Sequence, residues 1–78
     1  NASSRKDFRN KIFICKKEAQ ETKHWLRMIT KYASGKIEKI EELQGECQQL
    51  IMIFQKIIST LEKNNKIEAI KSGKLNEN

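Results

Sequence analysis

The chain has 78 residues, of which 16 are Lys or Arg and 10 are Asp or Glu, so its formal net charge is +6. This length allows one small domain at most, and the absence of proline favours long, uninterrupted helices. No apolar run approaches the roughly 18 residues that are needed to span a bilayer, and the polar N-terminus lacks the features of a signal peptide. We therefore expect a cytoplasmic protein without a membrane partner.

The first amphipathic segment covers about residues 4–33, and we interpret it as one helix. Small or apolar residues recur there in steps of four and three, which is the heptad pattern of a helix packed along a seam. Ser4 is a suitable N-cap residue, and Ser34-Gly35 supplies a stop with a glycine for a left-handed C-cap. The predicted seam comprises Phe8, Ile12, Cys15, Ala19, Thr22, Leu26, Ile29 and Ala33.

A second heptad pattern covers about residues 38–63, so residues 1–65 are predicted to form an antiparallel helical hairpin. Ile51 and Ile58 widen the second seam on one side. Asn64-Asn65 is expected to end the helix, and residues 66–78 are predicted to be a weakly structured or disordered tail. The second seam comprises Ile40, Leu43, Cys47, Leu50, Phe54, Ile57 and Leu61.

The first helix carries more apolar surface than one partner helix can cover. Its apolar sector is roughly 200° wide, whereas a surface helix usually buries a stripe of about 100°. A two-helix hairpin of this size also buries too little surface to be stable alone. We therefore predict an all-α hairpin that completes a four-helix-bundle-like assembly, by oligomerisation or with a missing N-terminal helix. The predicted assembly interface comprises Ile14, Glu18, Trp25, Met28 and Tyr32.

The other side of the first helix carries a row of cations, which we call the basic stripe. Clustered Lys and Arg residues neutralise nucleic-acid phosphates with salt-dependent, sequence-tolerant binding. The alternative interpretation is a solvated face that keeps an oligomer soluble. The predicted nucleic-acid-binding residues are Arg5, Arg9, Lys16, Lys17, Lys23, Arg27 and Lys31.

Residues that could carry catalysis or bind a metal are sparse. Cys15 and Cys47 would lie roughly 15 Å apart in an antiparallel hairpin, too far for a disulfide, so we predict two reduced core thiols. One histidine and two separated cysteines do not supply the ligands of a metal site. Glu18 shares its strip with no second carboxylate or histidine, so an inter-helix contact is favoured over acid catalysis. We predict no enzyme activity, no metal and no cofactor.

Several short motifs of the chain resemble those of a known family. They are Ser4-Arg5-Lys6-Asp7-Phe8, Lys11-Ile12, Lys17-Glu18-Ala19, Glu21-Thr22, Trp25-Leu26 and the stretch from Gly45-Glu46-Cys47 to Ile58. At these residues the chain is similar to the four-helix-bundle proteins that are encoded by intervening sequences in bacterial 23S rRNA genes, over about residues 3–63. Members of that family have another long amphipathic helical region before this stretch, which implies a fragment or a shortened member here.

The resemblance implies a small, basic, all-helical bacterial protein that forms a ring-like homo-oligomer without catalytic activity. A related branch, the accessory protein of diversity-generating retroelements, binds a reverse transcriptase and nucleic acid through its basic surface. By analogy, the expected partners here are further copies of the chain, RNA or DNA, and a protein such as a polymerase. The alternative is a purely structural assembly or adaptor module that binds another protein, with incidental surface charge.

Overall fold

Two long antiparallel helices make up most of the structure. The computed structural model describes residues 2–73 and the side chains of residues 4–73. Helix α1 is Ala2–Ile29, a short 3-10 helix is Ser34–Lys36, and helix α2 is Ile37–Lys71. No strand occurs within this range. The all-α prediction and the helical hairpin are thus confirmed.

The boundaries of α1 differ from the predicted ones at both ends. The helix begins at Ala2, so Ser4 lies inside it and is not the N-cap. It ends at Ile29. The N–H group of Thr30 still donates four residues back, to the Leu26 carbonyl at 3.3 Å, but those of Lys31 and Tyr32 donate to carbonyls three residues back, at 3.2 and 2.9 Å, and this tighter spacing closes an α-helix. Thr30 Oγ1 also donates to the Arg27 carbonyl at 2.5 Å. Gly35 lies in the 3-10 helix without a positive φ, so the predicted left-handed cap there is wrong.

Helix α2 extends to Lys71, so residues 66–71, the first six of the 13 residues that were predicted as a tail, are helical. The two asparagines at which we expected the helix to end each disfavour a helix by at most about 0.7 kcal/mol relative to alanine, and no proline or glycine follows before Gly73. Gly73 has a φ of 74°, and its N–H group donates to the Ile70 carbonyl at 3.1 Å. This left-handed glycine is the stop signal that the sequence analysis missed. The predicted tail residues 74–78 lie outside the described residues.

The core of the hairpin is one line of side chains between the helices. Ile58 is the most buried of them, with 2% of its surface exposed. The members recur at heptad spacing on both helices, as expected for two helices packed along their length. The buried residues are Ile12, Ala19, Ile40, Cys47 and Ile58.

Helix α1 is rotated about its axis relative to the predicted seam. Phe8, Cys15 and Ile29 are exposed, although the sequence analysis placed them inside. Lys16 and Lys23 are half-buried in their stead. Long cationic side chains can pack their aliphatic stems along a seam while their charged ends reach outward, so a cationic row can replace an apolar one. The prediction of Cys15 as a core thiol is therefore wrong.

Helix α2 is rotated in the corresponding way. Leu50 is 45% exposed, although it was assigned to the seam, while Ile58 is the centre of the core rather than its edge. Ile51 is half-buried. Cys47 is buried as predicted, and the thiols of both cysteines are free.

Candidate nucleic-acid interface

Three cations of the basic stripe cross from α1 to α2, and we call these contacts the cross-helix row. The cations recur every seven residues on α1, and their acceptors recur every seven residues in the opposite direction on α2, as antiparallel helices require. The contacts thus fix the register of the hairpin. They are Arg9 Nη2 to Glu62 Oε1 at 2.7 Å, Lys16 Nζ to Gln55 Oε1 at 2.5 Å, and Lys23 Nζ to Gln48 Oε1 at 2.6 Å.

The two arginines near the start of α1 have carboxylate partners. Arg5 forms an ion pair with Glu68 at the open end of the hairpin, where α1 begins and α2 ends. The guanidinium group of Arg9 binds Glu62, and its central carbon lies 4.8 Å from the centre of the Phe13 ring. Each arginine therefore has its charge balanced within the hairpin, and these two predicted phosphate ligands have a structural role in this arrangement.

The hydrogen bond from Arg5 lowers the pKa of Glu68 below its ordinary value of 4.5. The positive charges of Arg5 and Lys71 act in the same direction, and partial loss of hydration opposes them. Because the pKa is lowered in the folded chain, the pair stabilises the fold above the ordinary carboxyl pKa. That stability is lost as the pH falls through the lowered value.

Replacing Arg5 should reverse this shift. In Arg5→Gln we expect the pKa of Glu68 to rise toward 4.5, because the hydrogen bond and the adjacent charge are both removed. An NMR titration of the Glu68 carboxyl group measures it. Lys6→Gln is the matched control, since it removes the same charge one residue away, and it should leave the Glu68 titration unchanged. An unshifted pKa in Arg5→Gln would contradict the ion pair.

Lys16 and Lys23 differ from the two arginines because their partners are neutral amides. A glutamine oxygen accepts a hydrogen bond without cancelling the charge of the ammonium group. Three further cations of the predicted site are exposed. Lys17 and Arg27 lie at heptad positions of α1 that neighbour that of Lys16 and Lys23, and Lys31 lies in the turn that follows α1. The unbalanced positive charge is therefore concentrated toward the turn. We call this surface the basic face, and it comprises Lys16, Lys17, Lys23, Arg27 and Lys31.

A groove of about 450 Å³ lies between the helices beside the basic face. Its lining combines two cations, three glutamine amides, one imidazole and one isoleucine side chain, and it includes no carboxylate. The imidazole ring of His24 also meets the Trp25 ring edge-on, with 5.0 Å between the ring centres. The lining residues are Gln20, Lys23, His24, Arg27, Gln44, Gln48 and Ile51.

The opposite side of the hairpin carries exposed apolar residues from both helices. In each helix the cross-helix row lies on one flank of the buried line, so the two other flanks lie side by side on the opposite surface. Every large apolar side chain there exposes between 45% and 60% of its surface. We call this surface the apolar face, and it comprises Phe8, Cys15, Trp25, Ile29, Leu50 and Ile53.

Four of the five predicted assembly residues lie at the edge of the apolar face or on the outermost side of α1, and Tyr32 lies in the turn that follows it. Trp25 and Tyr32 are 60% and 86% exposed, and Glu18 shares their heptad position. Ile14, which is 58% exposed, and half-buried Met28 lie farther round the helix. The sequence analysis did not foresee that α2 contributes to the same surface.

The described residues provide neither a metal-binding cluster nor a membrane span. Within residues 2–73, no three His, Cys, Asp or Glu side chains lie together in a way that could hold a metal ion. Neither of the two long helices, over the same range, is apolar enough to cross a membrane. Comparison with protein-family models, with curated proteins and with solved structures finds no match to this chain.

Proposed function

We propose that the protein is a non-enzymatic, basic helical oligomer that binds nucleic acid through the basic face. The observation that best supports this proposal is the neutral pairing of Lys16 and Lys23 with glutamines. No carboxylate balances their charges, and Arg27 adds a third cation nearby. Clustered cations of this kind bind the phosphates of a nucleic acid whatever its sequence. Arg5 and Arg9 are expected to contribute less, because carboxylates already balance their charges.

The resemblance to proteins encoded by 23S rRNA intervening sequences supports the same proposal. On the basis of this resemblance we also propose that the protein is bacterial and cytoplasmic, that its ligand is RNA or DNA, and that a polymerase is a protein partner. This support is analogy between motifs, which suggests a function but does not derive it from a site.

The assembly that we propose covers the apolar face. Two acids and two bases share the heptad positions of Trp25 and Ile53 at the border of the face. These two positions therefore carry no excess charge that would oppose the approach of a second copy. An exposed apolar surface of this extent, drawn from both helices, is typical of an interaction site. A second hairpin seated on it gives a four-helix-bundle-like assembly. The alternative is that an N-terminal helical region of a longer chain covers the face. The bordering charged residues are Lys11, Glu18, Lys39 and Glu46.

A second candidate function is a structural or adaptor module that binds only protein. The apolar face favours it, because Trp25 and Ile53 are large side chains that remain 60% and 53% exposed in the hairpin. In that case the basic face serves solubility. The two functions differ in whether nucleic acid binds at all.

A salt titration of nucleic-acid binding separates the two functions. If the five cations of the basic face contact phosphates, log K should fall linearly with log salt, with a slope near −4.5 on duplex DNA and near −3.5 on single strands. A mobility-shift or anisotropy titration at several salt concentrations measures the slope. Absence of salt-sensitive binding to any RNA or DNA at micromolar protein would reject the nucleic-acid function and leave the adaptor module.

A further inference from the structure

The groove between the helices has a lining that suits a nucleotide better than a bare phosphate. We infer that it seats one unpaired nucleotide of a single-stranded RNA or DNA. This inference rests on the proposed nucleic-acid function and deepens it, because it assigns a ligand to residues of α2 that the basic stripe does not include.

The size and apolar part of the groove fit one base. Its volume of about 450 Å³ lies within the range of about 300–1,000 Å³ that is common for small-molecule sites. Ile51 is half-buried and supplies an apolar surface from α2, and the His24 ring supplies a planar surface from α1. Unpaired bases are commonly held against such planar or apolar side chains.

The polar part of the lining matches the edge of a base and its phosphate. Gln20, Gln44 and Gln48 line the groove from both helices, and each amide can donate and accept hydrogen bonds, as base edges do. The Lys23 ammonium group donates to Gln48 Oε1 at 2.6 Å, and the amide nitrogen of Gln48 is not part of that contact. Lys23 and Arg27 carry the positive charge that a phosphate needs.

The surrounding charges favour a strand over a free nucleotide or a duplex. Lys16 precedes Lys23 by seven residues, or about 10 Å along the helix, and Lys31 follows Arg27 in the turn just beyond the end of α1. Cations therefore continue past the groove in both directions, where neighbouring phosphates of a strand would lie. A duplex keeps its bases stacked and paired, so it cannot place one in the groove.

Three ligands at one salt concentration test the inference. They are a labelled RNA strand of about 12 nucleotides, within the site sizes of single-strand-binding proteins, the same strand annealed to its complement, and adenosine monophosphate. We expect the single strand to bind on the order of tenfold more tightly than the duplex, since only the strand gains the base contacts. The mononucleotide should bind far more weakly than the strand, because it lacks the flanking phosphates.

Two glutamines of α2 supply the variant and its control. Gln44→Leu should weaken single-strand binding on the order of tenfold and leave duplex binding nearly unchanged, because Gln44 lines the groove but is not part of the cross-helix row. Gln49→Leu makes the same chemical change at an exposed residue outside the groove, and it should alter neither affinity. Fluorescence of Trp25, the only tryptophan, reports on the site independently, because its ring contacts that of His24. The strand should change this fluorescence and the duplex should not.

Each other outcome overturns the inference in a distinguishable way. Equal, salt-sensitive affinity for strand and duplex would leave the proposed function intact and reject the nucleotide site. Equal affinity for the mononucleotide and the strand would reject the assignment of a strand as the ligand. Binding of none of the three would reject the nucleic-acid function and the site together.

Discussion

Ile53→Glu is expected to disrupt the proposed assembly through the apolar face. Ile53 lies on the apolar face and is 53% exposed in the hairpin, so the hairpin itself can accommodate a glutamate there. An unpaired carboxylate that becomes buried between two copies loses its hydration, which costs several kcal/mol. Light scattering should show a shift from the oligomer to the monomer, and thermal unfolding followed by circular dichroism should show a lower Tm.

Met52→Glu is the matched control for this experiment. Met52 is the adjacent residue, is 62% exposed, and lies on the groove side of α2 by heptad position. Each variant replaces a large apolar side chain by glutamate, and the two positions lie about 100° apart, one on each flank of the buried line of α2. We expect Met52→Glu to keep the native mass. A native chain that is monomeric at micromolar concentration, or an Ile53→Glu variant with the native mass, would contradict assembly through the apolar face.

The combined change of Lys17, Arg27 and Lys31 to Gln is expected to weaken nucleic-acid binding strongly. None of the three side chains belongs to the cross-helix row, and glutamine is a good helix former, so the hairpin should keep its helicity. Three lost phosphate contacts should flatten the salt slope by about 2 on single strands and by nearly 3 on duplex DNA. Anisotropy titrations at several salt concentrations measure both the affinity and the slope.

A second triple variant separates the position of the charge from its amount. Lys56, Lys63 and Lys71 are exposed lysines of α2 that lie outside the basic face. Changing these three to Gln removes the same number of charges and should alter the affinity little. If both triple variants weaken binding equally, the net charge of the chain governs binding and the basic face has no special role.

The heptad patterns were sufficient to predict the fold of each segment. Without proline, steps of three and four residues are compatible with long helices and with little else, and Gly35 lies near the turn that joins them. The buried residues Ile12, Ala19, Ile40 and Cys47 all belong to the predicted seams. These positions are central in each pattern, so a small rotation of a helix leaves them inside.

The rotation itself could not be predicted from one helix at a time. Ile12 and Ala19 can share a seam either with the apolar residues Phe8 and Cys15 or with the cationic residues on their other flank. Apolarity favours the first choice, yet the structure has the second, because acceptors on α2 recur at the same heptad step as the cations. Comparison of the two rows of polar residues would have indicated the pairing.

The partners of the cations at the candidate site could not be predicted from one helix either. The sequence analysis grouped seven cations by their side of α1, but position on one helix does not show which of them meet a carboxylate, an amide or solvent. Arg9 and Lys23 share one heptad position on α1, and they differ in what α2 places opposite them, a carboxylate for Arg9 and an amide for Lys23. The contribution of Leu50 and Ile53 to the apolar face was missed for the same reason.

The cross-helix row also implies an order in which the hairpin closes and opens. Its contacts join residues that are 25, 39 and 53 positions apart along the chain, and loop closure costs about 0.6 kcal/mol more for each doubling of length. The helices should therefore make their first contact beside the turn, between Lys23 and Gln48. The remaining contacts should then form one after another toward the free ends of the helices. Opening begins at those ends, where Arg5 pairs with Glu68. Because that pair needs an ionised carboxylate, acid loosens the hairpin where it opens first, while the amide contacts near the turn persist.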